Sequence, residues 1–412
     1  MISAGDRKIL RDLAGRVADI AALPVQEERR HLWKKHNSLK SCRPLILLFP
    51  EGAWTELLPE KGLQCDGKEA RAMEIDLRRR LYTHDHFRDD TVIEIKWPVR
   101  KVCSNSGWGL EPKRIPSTEA RGSWKFDPVI KGPEDLKGLR FPEIRYDDKA
   151  TRSALLESQD LFGDILDVKL IGVGSVGYHL MQQYIYLRGL EEMMLDMYEE
   201  PQMLHDAMAF LAEGHARILK QYVELNLLSL NNDNTYQNSG GNGYTDELPG
   251  PGFDPERVRP CDIWASAESQ ELTLVSPSHH AEFAVAYESK LLEPFGLAGY
   301  GCCEDLTQKL KDVCRMPHMR RISISPFADI DKCAEQLQGR FILSWKPQPA
   351  HLVGKFNEGL IRNYIRHALE VSSKNHCVLE MILKDTHTCE NRPERFDRWT
   401  QIAREEVTGL RA

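Results

Sequence analysis

The chain's 412 residues, 41% hydrophobic and 28% charged, suit a globular protein with room for one large barrel or two ordinary domains, and they exclude wholesale disorder. With 55 basic against 62 acidic residues, a formal net charge of -7 and no strongly basic stretch, nucleic acid is not an expected partner. No run approaches the roughly 20 apolar residues of a membrane helix, and Met1 to Ile20 lacks the continuous apolar centre of a signal peptide, so the expectation is a cytoplasmic protein without membrane contact.

Residues 1–43 read as a helical extension, with Leu10, Leu13, Val17 and Ile20 at helical spacing and charges from Glu27 to Lys35. Pro44 to Phe49 is a short apolar run ended by Pro50, as a buried strand would be. Lys68 to Thr83 is a charged helix, and Thr91 to Trp97 alternates like a strand. His84 and His86 would share a face and chelate if their segment were extended. Residues 103–150, rich in Gly and Pro, read as an irregular insertion near one face.

From Asp167 the pattern becomes regular. A strand from Val168 to Val176 leads to a long helical stretch, Tyr178 to Leu225. A second strand ends in Leu228-Ser229-Leu230-Asn231-Asn232-Asp233, followed by a Gly/Pro-rich loop from Ser239 to Pro255. Helix His279 to Leu292 precedes a strand ending in Tyr300-Gly301-Cys302-Cys303-Glu304. Strands Arg320 to Ser325, Phe341 to Trp345 and Val378 to Leu383 follow, separated by helices Leu306–Val313, Ile330–Leu337 and Val353–Val371, and a last helix begins near Glu394. Alternating strands and helices with few hairpin signals describe a parallel sheet with crossover helices, either a closed barrel or an open doubly wound sheet. Gly172-Val173-Gly174-Ser175-Val176-Gly177 matches a dinucleotide-binding fingerprint, but that needs a second strand soon after the helix to bring an acidic residue to a ribose, and the next strand arrives only near Leu227. The glycines are read instead as a close strand-to-helix junction.

Chemistry concentrates at three strand ends, where barrel enzymes place catalytic groups. Cys302, Cys303 and Glu304 offer soft and hard donors that zinc accepts together; the same residues also suit a buried thiol pair with a helix-capping carboxylate. Lys384-Asp385-Thr386-His387-Thr388-Cys389 follows another strand, and His387 or Cys389 could complete a metal site; a helix-start loop explains the segment equally. Asn231 to Tyr236 supplies polar groups for substrate binding or proton transfer, and is also ordinary turn composition. One of the adjacent His279 and His280 can face a site, and Trp345 can form an apolar wall or pack in the core.

The order of these segments, Leu227–Asp233, Ser276-Pro277, Phe295–Glu304, Phe341–Pro349 and Val378–Pro393, resembles the uroporphyrinogen decarboxylase superfamily. That superfamily includes decarboxylases of tetrapyrrole synthesis and zinc-dependent methyltransferases serving corrinoid proteins. The resemblance implies one (β/α)8 TIM barrel spanning residues 1–412. In the methyltransferase branch zinc is held by a His-x-Cys pair and a later Cys. Here Tyr300 stands where that His would be, Cys302 matches the first Cys, and the last Cys falls near Thr386 or His387. Cys302, Cys303, Glu304 and His387 are therefore the expected zinc ligands. The arginine and aspartate that hold substrate carboxylates in the decarboxylases have no counterpart near Phe49 to Trp54.

The function that follows is transfer of a methyl group from a small methylated donor, such as an O-methyl ether, to the corrinoid (cobalamin) of a partner protein. Asn232, Asp233 and Tyr236 would orient the donor or supply a proton, and Tyr178, His279, Tyr300 and Trp345 would contact it. A metal-free decarboxylase or lyase anchored on Asp233, and a binding protein without catalysis, are the alternatives. A homodimer is compatible with the fold, though no interface is legible.

Overall fold

A computed structural model describes residues 2–118, 125–237 and 239–409. Ser3 opens the chain's first helix by accepting a hydrogen bond from the Asp6 amide, and α1 (Ala4–Ala21) buries Leu10, Leu13, Ala14 and Val17. Helix α2 (Pro24–Asn37) starts at a proline and buries Trp33, His36 and Asn37. Strand β1 (Leu45–Leu48) is buried throughout. Helix α3 (Lys68–Tyr82), strand β2 (Lys96–Arg100), helix α4 (Asp148–Phe162) and strand β3 (Asp167–Ile171) follow. Strands β2 and β3 pair in parallel, and with α1, α3 and α4 they enclose a separate core around Leu77, Trp97 and Phe162.

Next come β4 (Gly177–Tyr178), α5 (Pro201–Glu224), β5 (Trp264–Ala267), β6 (Leu297–Tyr300), β7 (Met319–Ile324), α6 (Ile330–Leu337), β8 (Ile342–Trp345), α7 (Glu358–Lys374), β9 (Val378–Leu383) and α8 (Glu394–Gly409). They build a seven-stranded sheet in the order β1-β9-β8-β7-β6-β5-β4. Every pairing in it is parallel, as crossover helices require. The free edge of β1 is covered by Asp89 and Asp90. The Asp90 amide donates to the Ile46 carbonyl, while the Ile46 and Leu48 amides donate to the Asp90 and Asp89 carboxylates.

Side chains alternate across this sheet. Leu48, Ala267, Tyr300, Ile324, Trp345 and Leu383 face the helices and form the main core. Leu45, Leu47 and Ile382 face the other way, where they pack on Trp33 of α2 and on Tyr244. On that same inner face lie Arg321, Ser323, Ser344 and Glu380, by the parity of their strands.

The expected mixed α/β architecture with a parallel sheet is present, but its edges differ from the sequence reading in several places. The strand expected over Val168 to Val176 is broken into β3 and β4, and Leu227 to Leu230 contributes only an isolated bridge, Val173 to Leu228. Asn231 makes good the gap: its side chain donates to the carbonyls of Gly174 and Trp264 and accepts from the Trp264 amide at 2.9 Å, so an amide group does the work of a ladder. The stretch 103–150 is not wholly irregular. It holds two antiparallel ribbons, Cys103–Asn105 with Ile144–Tyr146 and Lys113–Ile115 with Lys125–Asp127. Residues 1–43 hold the helices α1 and α2, and α2 seats its C-terminal turn against the sheet's inner face. His84 and His86 sit in a π-helical turn, Thr83–Phe87, so they do not form an extended chelating pair. Among the described residues, no helix is long and apolar enough to cross a membrane.

Candidate functional site

The C-terminal ends of β6 and β9 meet at one point. After Tyr300 the backbone turns at Gly301, whose φ of +93° is one that L side chains rarely adopt, and a Cβ there would lie 2.8 Å from the Leu306 side chain. That turn resets the strand alternation and brings Cys302 to the inner side. Its Sγ lies 3.7 Å from Nζ of Lys384, the residue after β9, and 3.5 Å from Sγ of Cys303. Ser323 on β7 donates to the Cys302 carbonyl at 3.0 Å, and the Cys302 amide donates to Glu304 Oε2 at 2.7 Å, so the thiol's backbone is fixed from both sides.

Lys384 is nearly buried; its Nζ donates to Ser239 Oγ at 3.4 Å and lies 3.6 Å from Asp385 Oδ1. Burial works against its charge, but the neighbouring sulfurs, Asp385 and Glu51 outweigh burial and hold the amine above its ordinary pKa. The two thiols titrate as one unit. Cys303 loses its proton more readily than a free thiol because Cys302 donates an S–H to it, and Cys302, bonded to that sulfur and buried, then keeps its own. The site therefore sets a buried amine beside a pair of thiols, one of which ionises more readily than a free thiol.

Three more groups face this point. Lys346, the residue after β8, is buried with Nζ bonded to the Ser344 carbonyl and hydroxyl at 2.9 and 2.8 Å, and burial pulls its pKa down to about 7. His179, after β4, has its Nδ1 2.8 Å from Glu268 Oε1. Burial opposes its protonation, but Glu268 and the field of Cys302 raise its pKa. Tyr236 packs on Phe49 with ring centroids 4.3 Å apart, and burial raises its phenol well above the usual range. Among the described residues its hydroxyl has no hydrogen-bond partner.

The structure brings together Cys302, Cys303 and Tyr236 of the residues singled out in the sequence, and separates the rest. Tyr300 and Trp345 face the helices: the Tyr300 hydroxyl donates to Glu288 at 3.1 Å, and the Trp345 ring packs on Tyr364. Tyr178 lies in the same outer layer. His279 sits on a short outer helix with its ring edge on Tyr198. Tyr178, Tyr300 and Trp345 thus belong to the main core, the packing role that was the alternative for Trp345. Asn232 donates to the Leu248 carbonyl and is a loop clamp, whereas Asp233 is ion-paired with Lys96.

The expected zinc ligands do not converge. Glu304 is turned onto the amides of Cys302 and Ser269, with burial raising its pKa to about 7. His387 is exposed and lies against the loop at Gly52. Among the described residues no three His, Cys, Asp or Glu side chains are placed to hold a metal ion, and the position beside Cys302 is taken by the Lys384 ammonium. The residues present do not fit zinc. Lys346, His179 and Glu268 were not singled out from the sequence, and Lys384 only as the first residue of the segment after β9. Both lysines carried a signal, each being the polar residue that follows a buried strand in inward register.

No protein-family model matches this chain, and no curated protein matches it. Among solved structures the chain is similar to a methyltransferase from Methanosarcina mazei, at 12% identity and a TM-score of 0.54, over 93% of this chain and 99% of that one. At that identity the likeness speaks to the fold alone.

Proposed function

We propose that this chain is a (β/α)8-barrel enzyme of the methyltransferase branch of the uroporphyrinogen decarboxylase superfamily. It moves a methyl group from a small methylated donor, such as an O-methyl ether, to a corrinoid protein. One observation carries the reading: a buried ammonium, Lys384, in contact with the thiol of Cys302 where two parallel strands end, on a fold shared with a methyltransferase. In this reading Lys384 takes the place that zinc was expected to fill. Its ammonium faces the donor's heteroatom. The methyl–oxygen bond breaks with its electron pair left on oxygen, and the Lys384 proton passes to that oxygen. The partner's reduced cobalt supplies the electron pair that accepts the methyl group. Tyr236 holds the donor oxygen through its unpartnered hydroxyl, and His179, oriented by Glu268, carries a proton at the same rim.

The partner reading draws support from a second cavity of ≈ 620 Å³ at this rim, lined by Cys303, Leu274 and Phe327. Leu274 and Phe327 are 89% and 71% exposed, an apolar surface that a docked protein would cover. The test is incubation with a reduced corrinoid carrier and a panel of methylated donors, read as cobalt methylation by absorbance. Methylation that disappears in Lys384→Met supports the reading. Release of carbon dioxide from carboxylated substrates without cobalt methylation would instead assign a metal-free decarboxylase, for which the buried amine of Lys346 is the natural electrophile-binding group.

A further inference from the structure

Tyr236 also lines a cavity of ≈ 630 Å³ whose walls include Phe49, Arg79, Arg80, Lys96 and Arg100. Two carboxylates, Asp76 and Glu94, also line it. Both are already engaged: Asp76 Oδ2 lies 2.9 Å from Arg80 Nη2, and Glu94 Oε2 lies 3.6 Å from Lys96 Nζ, which Asp233 also pairs. Among the described residues, Arg79 and Arg100 have no carboxylate partner. Arg79 lies over the Trp54 ring, 5.3 Å from its centroid. With Asp233 on Lys96 counted as well, four cations against three carboxylates leave a surplus of one positive charge in one cleft of a protein whose net charge is -7, and Arg79 and Arg100 are the cations without a carboxylate among the described residues. A concave surface focuses such a field and raises the local concentration of anions. Phe49 and Tyr236 add an aromatic part to the lining, their rings in contact, and the Tyr236 hydroxyl is buried and without a partner among the described residues.

We propose that this cavity binds an organic carboxylate on a flat apolar body, with the carboxylate between Arg79 and Arg100 and the body against the Phe49–Tyr236 wall. The two guanidiniums offer forked donors that match a carboxylate. The aromatic wall takes the apolar body and the Tyr236 hydroxyl takes a polar atom at its far end. This deepens the methyl-transfer reading and rests on it for one point only, that the bound anion is the donor. A donor so held has its charged end anchored in the cleft and its other end at the rim where Cys302 and Lys384 meet.

The test is calorimetric titration of the full chain with 4-methoxybenzoate, with uncharged 4-methoxybenzyl alcohol and with inorganic phosphate. The expected result is saturable binding of the benzoate at least ten-fold tighter than of either other probe. That preference should fall about ten-fold in Arg79→Gln and in Arg100→Gln, both exposed positions whose substitution leaves the circular dichroism unchanged. Equal affinity for benzoate and alcohol, equal affinity for phosphate, or unchanged binding in both variants overturns the proposal. Turnover separates the two readings. Benzoate binding without cobalt methylation sinks methyl transfer and leaves the anion site standing, whereas methylation from the alcohol without a benzoate preference does the reverse.

Discussion

Arg321 and Glu380, on strands separated by β8, form an ion pair across the sheet's inner face, with Nε 3.0 Å from Oε1 and exposures of 2% and 0%. Glu380 also binds His36 Nε2 at 2.9 Å and accepts from the Gly241 amide at 2.8 Å, while Arg321 donates to Asn37 Oδ1 at 2.6 Å. The pair thus ties α2, the 239–244 loop and two strands together. Removing one buried charge leaves the other uncompensated. Glu380→Gln should cost about 3–5 kcal/mol in urea unfolding, and the double change Glu380→Met with Arg321→Met should cost less than that single change. A double variant weaker than the single one would contradict this account.

Gly240 and Gly241 thread between that pair and Trp33. A Cβ on Gly241 would meet the Trp33 ring at 2.5 Å and Glu380 Oε2 at 2.6 Å. Gly241→Ala is expected to lower the melting temperature by several degrees, in keeping with about 1–3 kcal/mol of overpacking. Gly132→Ala, with open space at its Cβ position and an extended φ of -166°, is the control that adds a methyl group without overpacking.

Lys384→Met should reduce methyl transfer by about 10²–10⁴-fold, the usual worth of a positioned proton donor. A second readout is independent of turnover. Lys384 favours thiolate formation in the Cys302–Cys303 pair, so alkylation by iodoacetamide at neutral pH should slow about ten-fold if the loss raises the pair's first pKa by about one unit. Lys384→Arg should restore the alkylation rate more fully than the methyl transfer.

Glu288 carries a pH dependence with a definite sign. Burial raises its pKa from 4.5 to about 8, against the opposing bonds from Ser269 and Tyr300. The folded state therefore binds the extra proton, and stability falls as pH rises from about 4.5 to about 8, by at most about 1.4 kcal/mol per pH unit. Glu288→Gln keeps the shape and needs no proton. Denaturation followed across that window should show a flatter slope in the variant and greater stability than the parent above pH 8; parallel curves would refute the assignment.

The parallel sheet was legible because its strands are short apolar runs bounded by turn residues, and Met319–Ile324, Ile342–Trp345 and Val378–Leu383 fall where the sequence reading put them. The rim was legible as a region, since Cys302 and the segment after β9 were both singled out. Which side chains face inward was not. Tyr300 and Trp345 end their strands in outward register, one residue away from the inner face, and a period of two makes such a slip reverse the answer. No role was given to the Lys384 or Lys346 amine because a lysine after a strand usually marks solvent; for Lys384 the partners that say otherwise, Ser239 and Cys302, are far off in sequence. Asn231 was noticed as a polar turn residue, but its part in bridging to Trp264 depends on a gap in the sheet that no local pattern announces.

The bond from His36 to Glu380 joins residues 344 positions apart, so α2 completes its seat only when the last strand is in place. Loops of that length close slowly and late. Trp33 and Asn37 of α2 also bond Asp90 and the 242–244 backbone. A version without α2 would strip Glu380 of His36 and Arg321 of Asn37, leaving two buried charges to answer each other with one partner fewer apiece.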